Sequence, residues 1–283
     1  MMSLEKASGL PLEIREDYSL VFGEGLRYET LLVRDFSAMR NYLQDPASTY
    51  GRREVYRVYR AVALAADTEV IAAAGLEYDV TVIPPGKIGR EFVKTLGHYH
   101  PLKEGTRVRF PEVYEVISGK AFFLLQSASE DLERLERVYL LEAERGDKIL
   151  IPPGYGHVSI NPGTEVLVLA NWQKRGMSGL YEPYEAHNGA AYYVLESERL
   201  QASGQTSREL EFTPNLSYNY LPELLRGKPR ELSQYDLRLA LPTYFTATKN
   251  LQSLDFLVNP ENHLDELSPE KLFALKVYEK PRY

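Results

Sequence analysis

Three of the chain's five histidines lie in one strand-like stretch, and their spacing is suited to metal binding. His98 and His100 form an H-x-H pair. Alternate side chains of a β-strand share a face, so both imidazoles point the same way. Two neutral imidazoles on one face can bind a single divalent ion. Surface or core histidines also produce this spacing, so a metal site requires further ligands nearby.

Two more potential ligands follow along the chain. In the segment PEVYEVISG, Glu112 and Tyr114 share one strand face. A carboxylate on a core strand needs a partner, because a bare buried charge is costly; a metal ion is one partner, and a nearby Arg or Lys is the alternative. His157 follows PPGYG, whose prolines and glycine force a sharp entry into the next strand. A set of three histidines and one glutamate is therefore the candidate site.

Short strands separated by turn residues must position these side chains. The apolar runs recur at regular spacing between residues 54 and 172, which is typical of an all-β sandwich or barrel. Ser118-Gly119, between two of these runs, predicts a tight hairpin. Residues 36–44 predict a short helix with Asp35 or Ser37 as its N-cap.

Composition excludes several classes of protein. The 283 residues are 44% hydrophobic and 26% charged, which is ordinary for a soluble globular protein. No apolar run approaches the ~20 residues that span a bilayer, so we expect no membrane association. The absence of cysteines excludes disulfides and thiolate ligands and fits a cytoplasmic location. A net charge of -7 argues against a nucleic-acid partner.

The chain changes character after about residue 195. Residues 196–216 are polar, and short helices are predicted at Leu221–Leu225 and Ser268–Val277. We therefore divide the chain into a lead-in with a helix (1–50), a metal-binding barrel (51–195) and a mixed α/β C-terminal extension of unassigned role (196–283).

The site residues also carry a resemblance to the cupin superfamily. Gly146-x5-Pro152-x-Gly154-x2-His157-x3-Asn161 matches the second cupin motif, and His98-x-His100 with Glu112 and Gly119 matches the first. Eleven residues separate His100 from Glu112, where the general motif has three or four. The resemblance implies a mainly β, double-stranded β-helix barrel whose metal ligands are His98, His100, Glu112 and His157.

Flanking segments narrow the resemblance to the cupin-type phosphoglucose isomerases of archaea and some bacteria. These segments are TVIPPGKIGREFVKTLGHYH, PEVYEVISGKAFFLLQ and ILIPPGYGHVSINPG. The resemblance implies that Thr81, Thr95 and Gly97 contact the sugar phosphate, and that Tyr56 and Tyr114 line the substrate pocket. Thr81 and Thr95 are otherwise ordinary β-branched strand residues.

Other residues near these segments have two interpretations each. Trp172 stands in for a pocket tyrosine of the family or packs in the core. Lys87 and Arg90 supply positive charge to the pocket or are solvated loop residues.

Many family members carry a Gly-His-Asp-Tyr loop after the last barrel strand. QKRGMSGLYEPY replaces it here, and Tyr181 or Tyr184 is the candidate for its tyrosine.

The resemblance predicts a metal-dependent isomerase that interconverts glucose 6-phosphate and fructose 6-phosphate, as a homodimer. Glu112 and Tyr114 are its expected catalytic residues. The hydrogen moves either by proton transfer or by a direct hydride shift, and the sequence does not decide between these mechanisms. We expect one divalent ion per chain, Fe(II) by resemblance, although Mn, Ni, Co and Zn suit the same ligands. The alternatives are another sugar-phosphate isomerase or epimerase, a non-catalytic sugar-binding cupin, and an iron dioxygenase.

Overall fold

The computed structural model describes residues 1–130, 132–200, 206–239 and 241–276. Short strands dominate this part of the chain. The strands are β1 (Met2–Ser3), β2 (Leu12–Ile14), β3 (Leu20–Phe22), β4 (Leu26–Arg27), β5 (Thr30–Asp35), β6 (Glu54–Arg60), β7 (Ala63–Leu64), β8 (Leu76–Ile83), β9 (Lys87–Ile88), β10 (Glu91–Phe92), β11 (Glu112–Ser118), β12 (Lys120–Ala128), β13 (Leu135–Glu144), β14 (Lys148–Ile151), β15 (Tyr155–Ile160), β16 (Leu167–Lys174), β17 (Tyr192–Leu200), β18 (Thr206–Pro214), β19 (Leu224–Pro229) and β20 (Phe273–Lys276).

The helices are short and lie mostly outside the strand-rich middle. They are α1 (Glu5–Ser8), α2 (Phe36–Met39), α3 (Thr68–Ala73), α4 (Glu182–Ala186), α5 (Thr243–Lys249), α6 (Asp255–Val258) and α7 (Pro269–Leu272). Single 3-10 turns add Arg40–Tyr42, Ser233–Tyr235, Leu251–Leu254 and Pro260–Asn262. No helix in the described ranges is long and apolar enough to cross a membrane.

Two large sheets enclose the site. One has the order β14-β11-β16-β8-β6-β5, and the other has the order β15-β12-β13-β19-β20. From β11 to β16 the chain passes repeatedly between the two sheets, and every pair is antiparallel except β13 with β19. This is the double-stranded β-helix arrangement. The prediction of a mainly β cupin barrel is confirmed.

Strand register in the six-stranded sheet aligns the inward-facing polar residues. Tyr114 pairs with Asn171, and Asn171 pairs with Asp79, so one row crosses three strands. At the sheet's far edge, Arg34 of β5 pairs with Tyr56 of β6. Because alternate side chains share a face, this register decides which residues reach the barrel interior.

The predicted Ser118-Gly119 hairpin is wrong. β11 pairs with β14 and β16, whereas β12 pairs with β13 and β15, so the chain crosses between sheets at Gly119. Glycine is needed for the crossing, since φ is +83° and a Cβ would lie 2.8 Å from the Val166 carbonyl oxygen. Two adjacent apolar runs with a tight turn between them are compatible with a hairpin or with a crossing between sheets. The pairing of β11 and β12 with other strands produces the crossing.

The short-helix predictions have mixed outcomes. Residues 36–44 do contain α2 and a following 3-10 turn, although neither cap position makes a side-chain cap. The helix predicted at Leu221–Leu225 is wrong, because β19 begins at Leu224 and pairs with β13. Of Ser268–Val277, only Pro269–Leu272 is helical, and β20 follows by pairing with β19; residue 277 lies outside the described residues. Long-range pairing here overrides local helix signals.

The C-terminal extension packs on the barrel's outer face through a buried ion pair. Lys148 Nζ lies 3.1 Å from Glu115 Oε1 and donates to the Leu239 carbonyl. The second Glu115 oxygen accepts hydrogen bonds from the Thr243 backbone and hydroxyl, both at 2.8 Å. The extension thus provides the hydrogen bonds that the buried charges require. Strands of the lead-in and of the extension both pair with strands of the barrel. The divisions at residues 50 and 195 stay predictions.

Candidate metal centre and its cavity

The four predicted ligands converge inside the barrel. One ligand atom from each of His98, His100, Glu112 and His157 lies within 4.8 Å of the others. Glu112 begins β11 in one large sheet, His157 lies on β15 in the other, and a backbone bridge pairs His98 with His157. The site therefore depends on both sheets being in place.

Backbone carbonyls orient two of the imidazoles. His100 Nδ1 lies 2.8 Å from the Phe110 carbonyl oxygen, and His98 Nδ1 lies 3.4 Å from that of Leu96. When Nδ1 donates to these oxygens, the Nε2 lone pair is free for a metal. Phe110 belongs to the eleven-residue loop that departs from the cupin motif. The long loop thus positions a ligand.

Glu112 is held by one oxygen and unsatisfied at the other. Asn171 Nδ2 donates to Glu112 Oε1 at 2.6 Å. Oε2 lies 3.2 Å from His100 Nε2 and 3.4 Å from His157 Nε2, and it accepts no hydrogen bond. His100 Nε2 is also buried without a hydrogen-bond partner. Lone pairs that face one another in this way need a cation between them, which fits a divalent metal ion.

The protonation states of the histidines also fit metal binding. Burial lowers the pKa of His98 to about 3 and that of His157 well below its usual value. Both imidazoles are therefore neutral near pH 7, as ligands must be. The Tyr114 hydroxyl lies 3.0 Å from His157 Nε2, and burial raises the pKa of Tyr114 well above its usual value. In the His157 tautomer whose Nε2 lone pair is available to a metal, Tyr114 donates to that nitrogen and would have to release it on metal binding.

A polar cavity opens beside the ligands. Its lining includes four predicted pocket residues, namely Tyr56, Thr81, Thr95 and Tyr114. Thr95 Oγ1 also accepts a hydrogen bond from the Ser159 backbone N–H at 3.0 Å. The structure brings these four side chains to the candidate site, and their contact with substrate remains a prediction.

Two predicted substrate contacts do not line the cavity. Trp172 points to the opposite face of β16 from Asn171, where it is fully buried against Tyr78 and Tyr244 with ring centroids at 4.9 and 5.9 Å. It is a core residue because strand alternation turns it outward. Gly97 allows a close approach by Tyr184, since a Cβ there would lie 2.0 Å from that ring. Only its backbone is available to a ligand.

The loop after β16 contributes one tyrosine to the cavity. The Tyr181 ring lies 5.2 Å from the ring of His98 and is part of the lining. Tyr184 is instead buried against the backbone near Gly97 and Gly156. The His187 ring stacks on the Tyr218 ring, with 4.1 Å between the ring centroids.

Sequence reasoning missed a buried polar cluster in the cavity wall. Arg60 Nη1 lies 3.4 Å from Glu77 Oε1 and 3.2 Å from Asp79 Oδ2. Gln173 Nε2 donates to the same two carboxylates at 2.6 and 3.0 Å. Burial, followed by the neighbouring Glu77, raises the pKa of Asp79 to about 7. The signal was present as alternate polar residues in LEYDVT and NWQ, but strand pairing was needed to bring them together.

The two cations considered for the pocket have other partners. Lys87 pairs with Glu196 of β17, and Arg90 Nη2 lies 2.5 Å from Glu211 Oε2 of β18. Both ion pairs lie within the small four-stranded sheet β18-β17-β10-β9, since Lys87 is on β9 and Arg90 is in the turn between β9 and β10. Neither residue lines the cavity, which favours the interpretation as loop residues, although each has a defined carboxylate partner.

Comparison with known proteins identifies the family. The pattern of the glucose-6-phosphate isomerase (GPI) family matches residues 32–210. The chain is 28% identical over 160 residues to a glucose-6-phosphate isomerase of Pyrococcus abyssi (56% of this chain, 76% of the relative). It is 30% identical over 161 residues to that of Thermococcus gammatolerans (54% of this chain, 77% of the relative).

Similarity to solved oxalate decarboxylase structures is slight. A Bacillus subtilis oxalate decarboxylase aligns at 21% identity over 44% of this chain and 28% of that chain, with a TM-score of 0.33, which is too low to inform function. The family match covers well over half of the chain and includes all four candidate ligands. The chain belongs to the glucose-6-phosphate isomerase (GPI) family.

Proposed function

We propose that this chain is a metal-dependent glucose-6-phosphate isomerase. The observation that carries the proposal is the convergence of His98, His100, Glu112 and His157 in a chain of that family, with Glu112 Oε2 and His100 Nε2 buried and unsatisfied. The reaction moves a hydrogen between C1 and C2 of the open-chain sugar. A bound divalent ion would polarise the carbonyl oxygen next to the hydrogen that moves.

Glu112 is the proposed proton carrier. Asn171 fixes one carboxylate oxygen, so the other keeps a defined direction toward the cavity's metal end. If this oxygen leaves the ion when sugar oxygens bind, it can take a proton from one carbon and return it to the other. Tyr114, whose hydroxyl is a neutral donor beside the ligands, would donate a hydrogen bond to the reacting sugar oxygens. Tyr56, Thr81 and Thr95 are the proposed binding residues farther along the cavity.

The metal and the assembly state are part of the proposal. We propose Fe(II) as the ion, in a site of nitrogen and oxygen ligands that Mn, Ni, Co and Zn would also accept. We also propose a cytoplasmic homodimer, which light scattering of the purified protein would test at about twice the chain's mass of 32.3 kDa.

Substrate comparison tests the proposed activity. We expect purified, metal-loaded protein to interconvert glucose 6-phosphate and fructose 6-phosphate, and to turn over free glucose far less efficiently. Mannose 6-phosphate as the preferred substrate would indicate a different sugar-phosphate isomerase. Absence of isomerisation with all of these sugars, in protein that retains its metal, would contradict an enzymatic role and favour sugar binding.

A further inference from the structure

Carboxylates neutralise the cation that lines the cavity. Arg60 is the only cationic side chain in the described lining, and it contacts both Glu77 and Asp79. Nearby Lys94 is buried in an ion pair with Glu91. Because two carboxylates offset the charge of Arg60, the wall formed by β6 and β8 does not attract an anionic ligand. A dianionic phosphate therefore needs a cation from elsewhere.

Arg34 lies at the cavity edge and has no carboxylate partner among the described residues. On β5 it shares a face with Leu32, which lines the cavity, and it pairs in register with Tyr56 of β6. Its guanidinium carbon is 5.5 Å from the centre of the Tyr181 ring. Among the described residues, no carboxylate lies within 4.0 Å of Arg34, and its buried Nε has no hydrogen-bond partner. A partly buried guanidinium that contacts only tyrosines and has no carboxylate partner keeps its charge available for an anion.

Tyr56 adds a second donor at the same place. Its hydroxyl oxygen accepts the Leu96 N–H at 3.2 Å, which leaves the hydroxyl proton to be donated. Burial raises the pKa of Tyr56 to about 12, and the nearby charge of Arg34 opposes that rise. Tyr56 is therefore a neutral donor near pH 7. A guanidinium fork beside a free hydroxyl donor is well suited to the oxygens of a phosphate.

We propose that Arg34 is a specificity-determining residue that binds the phosphate of the sugar phosphate, at the cavity edge formed by Tyr56 and Tyr181. The proposal rests on the proposed isomerase function, because the metal ligands bind the reacting end of the sugar and leave its phosphate for the edge. Binding there acts equally in the ground state and the transition state. Its loss should consequently raise KM and leave kcat almost unchanged.

Two variants and a matched control test this role. Arg34→Gln removes the charge and leaves a shorter polar side chain, and Arg34→Lys keeps the charge without the planar fork. Arg53→Gln changes the net charge equally at a side chain that is 87% exposed and paired with Asp35. Steady-state kinetics with both sugar phosphates are measured together with inhibition by inorganic phosphate.

For Arg34→Gln we expect KM and the phosphate inhibition constant to rise about 10- to 100-fold, the range for a lost hydrogen bond to a charged group. Arg34→Lys should be intermediate, and Arg53→Gln should match wild type. A KM within twofold of wild type in Arg34→Gln overturns the proposal. So does a fall in kcat with an unchanged phosphate inhibition constant. If Arg34→Gln does not fold, a wild-type KM in Arg34→Lys overturns the bidentate role.

Calorimetric titration with inorganic phosphate separates this inference from the proposed function. If wild type isomerises neither sugar phosphate, the proposed function fails. Phosphate binding that is present in wild type and lost in Arg34→Gln would still support an anion site at Arg34. Equal binding to both proteins, or none to either, overturns it.

Discussion

Replacing Glu112 by glutamine removes the only negative charge among the four candidate ligands and preserves the side chain's shape. Asn171 Nδ2 donates to Glu112 Oε1 at 2.6 Å, so the new amide must turn its oxygen toward Asn171. Its NH2 group then faces the Nε2 atoms of His100 and His157, which lie 3.2 and 3.4 Å from the present Oε2. The variant therefore loses both the carboxylate ligand and the proposed proton carrier.

The expected loss of kcat is at least about 10²-fold, the lower end of the range for general acid–base groups. The three histidines should retain part of the metal, and excess metal during the assay should raise that fraction. The assay measures kcat and metal content on the same samples, with Glu136→Gln as a control at an exposed position on β13.

Near-normal kcat with full metal in Glu112→Gln would refute the proton-transfer role. Activity that falls only in proportion to metal content would leave Glu112 as a ligand alone. Reduced activity in fully metal-loaded variant protein is the result that the reasoning predicts. Solvent-deuterium exchange into the product of the wild-type reaction then distinguishes proton transfer from a hydride shift.

Three further predictions concern the surroundings of the site. Tyr114→Phe should reduce kcat less than Glu112→Gln does and should not lower metal content, since it removes a competing donor to His157 Nε2; a loss of metal would contradict this. Lys103 Nζ holds the loop that orients His100 by pairing with Glu261 Oε1 at 2.5 Å, so Lys103→Met should weaken metal binding roughly two- to fivefold. Chelator competition measures this effect, and unchanged affinity would argue against support of the loop by the extension. Burial raises the pKa of Asp79 from 3.8 to about 7, so the protonated carboxyl is favoured in the fold and its contribution to stability is lost as pH rises from about 4 to 7. The Tm of Asp79→Asn minus that of wild type should accordingly increase over this window, and a constant difference would be inconsistent with the shift.

The metal ligands could be predicted because their spacing is local. His98 and His100 are two residues apart on one strand face, and the prolines before His157 define its strand entry. The resemblance supplied the pairing between these separate segments. The same alternation rule, applied to β16, would have turned Trp172 away from Asn171, as the structure shows.

Other features could not be inferred from local pattern. Arg60, Asp79 and Gln173 meet only because β6, β8 and β16 are neighbours in the sheet, and no short window contains all three. The helix predicted at Leu221–Leu225 was wrong because β13 offers a partner for β19. The support of Lys103 by Glu261 spans two segments that sequence analysis separated. Each of these outcomes depends on long-range contacts.

Metal content and isomerase activity, measured together through chelation and reconstitution, test whether isomerisation depends on a metal at this site. We expect about one divalent ion per chain, loss of activity in proportion to the metal removed, and recovery when Fe(II) or another suitable ion is returned. The variant that carries both His98→Ala and His157→Ala should bind no stoichiometric metal. Full isomerase activity in metal-free protein would contradict metal dependence, and stoichiometric metal in this double variant would contradict the assigned ligands.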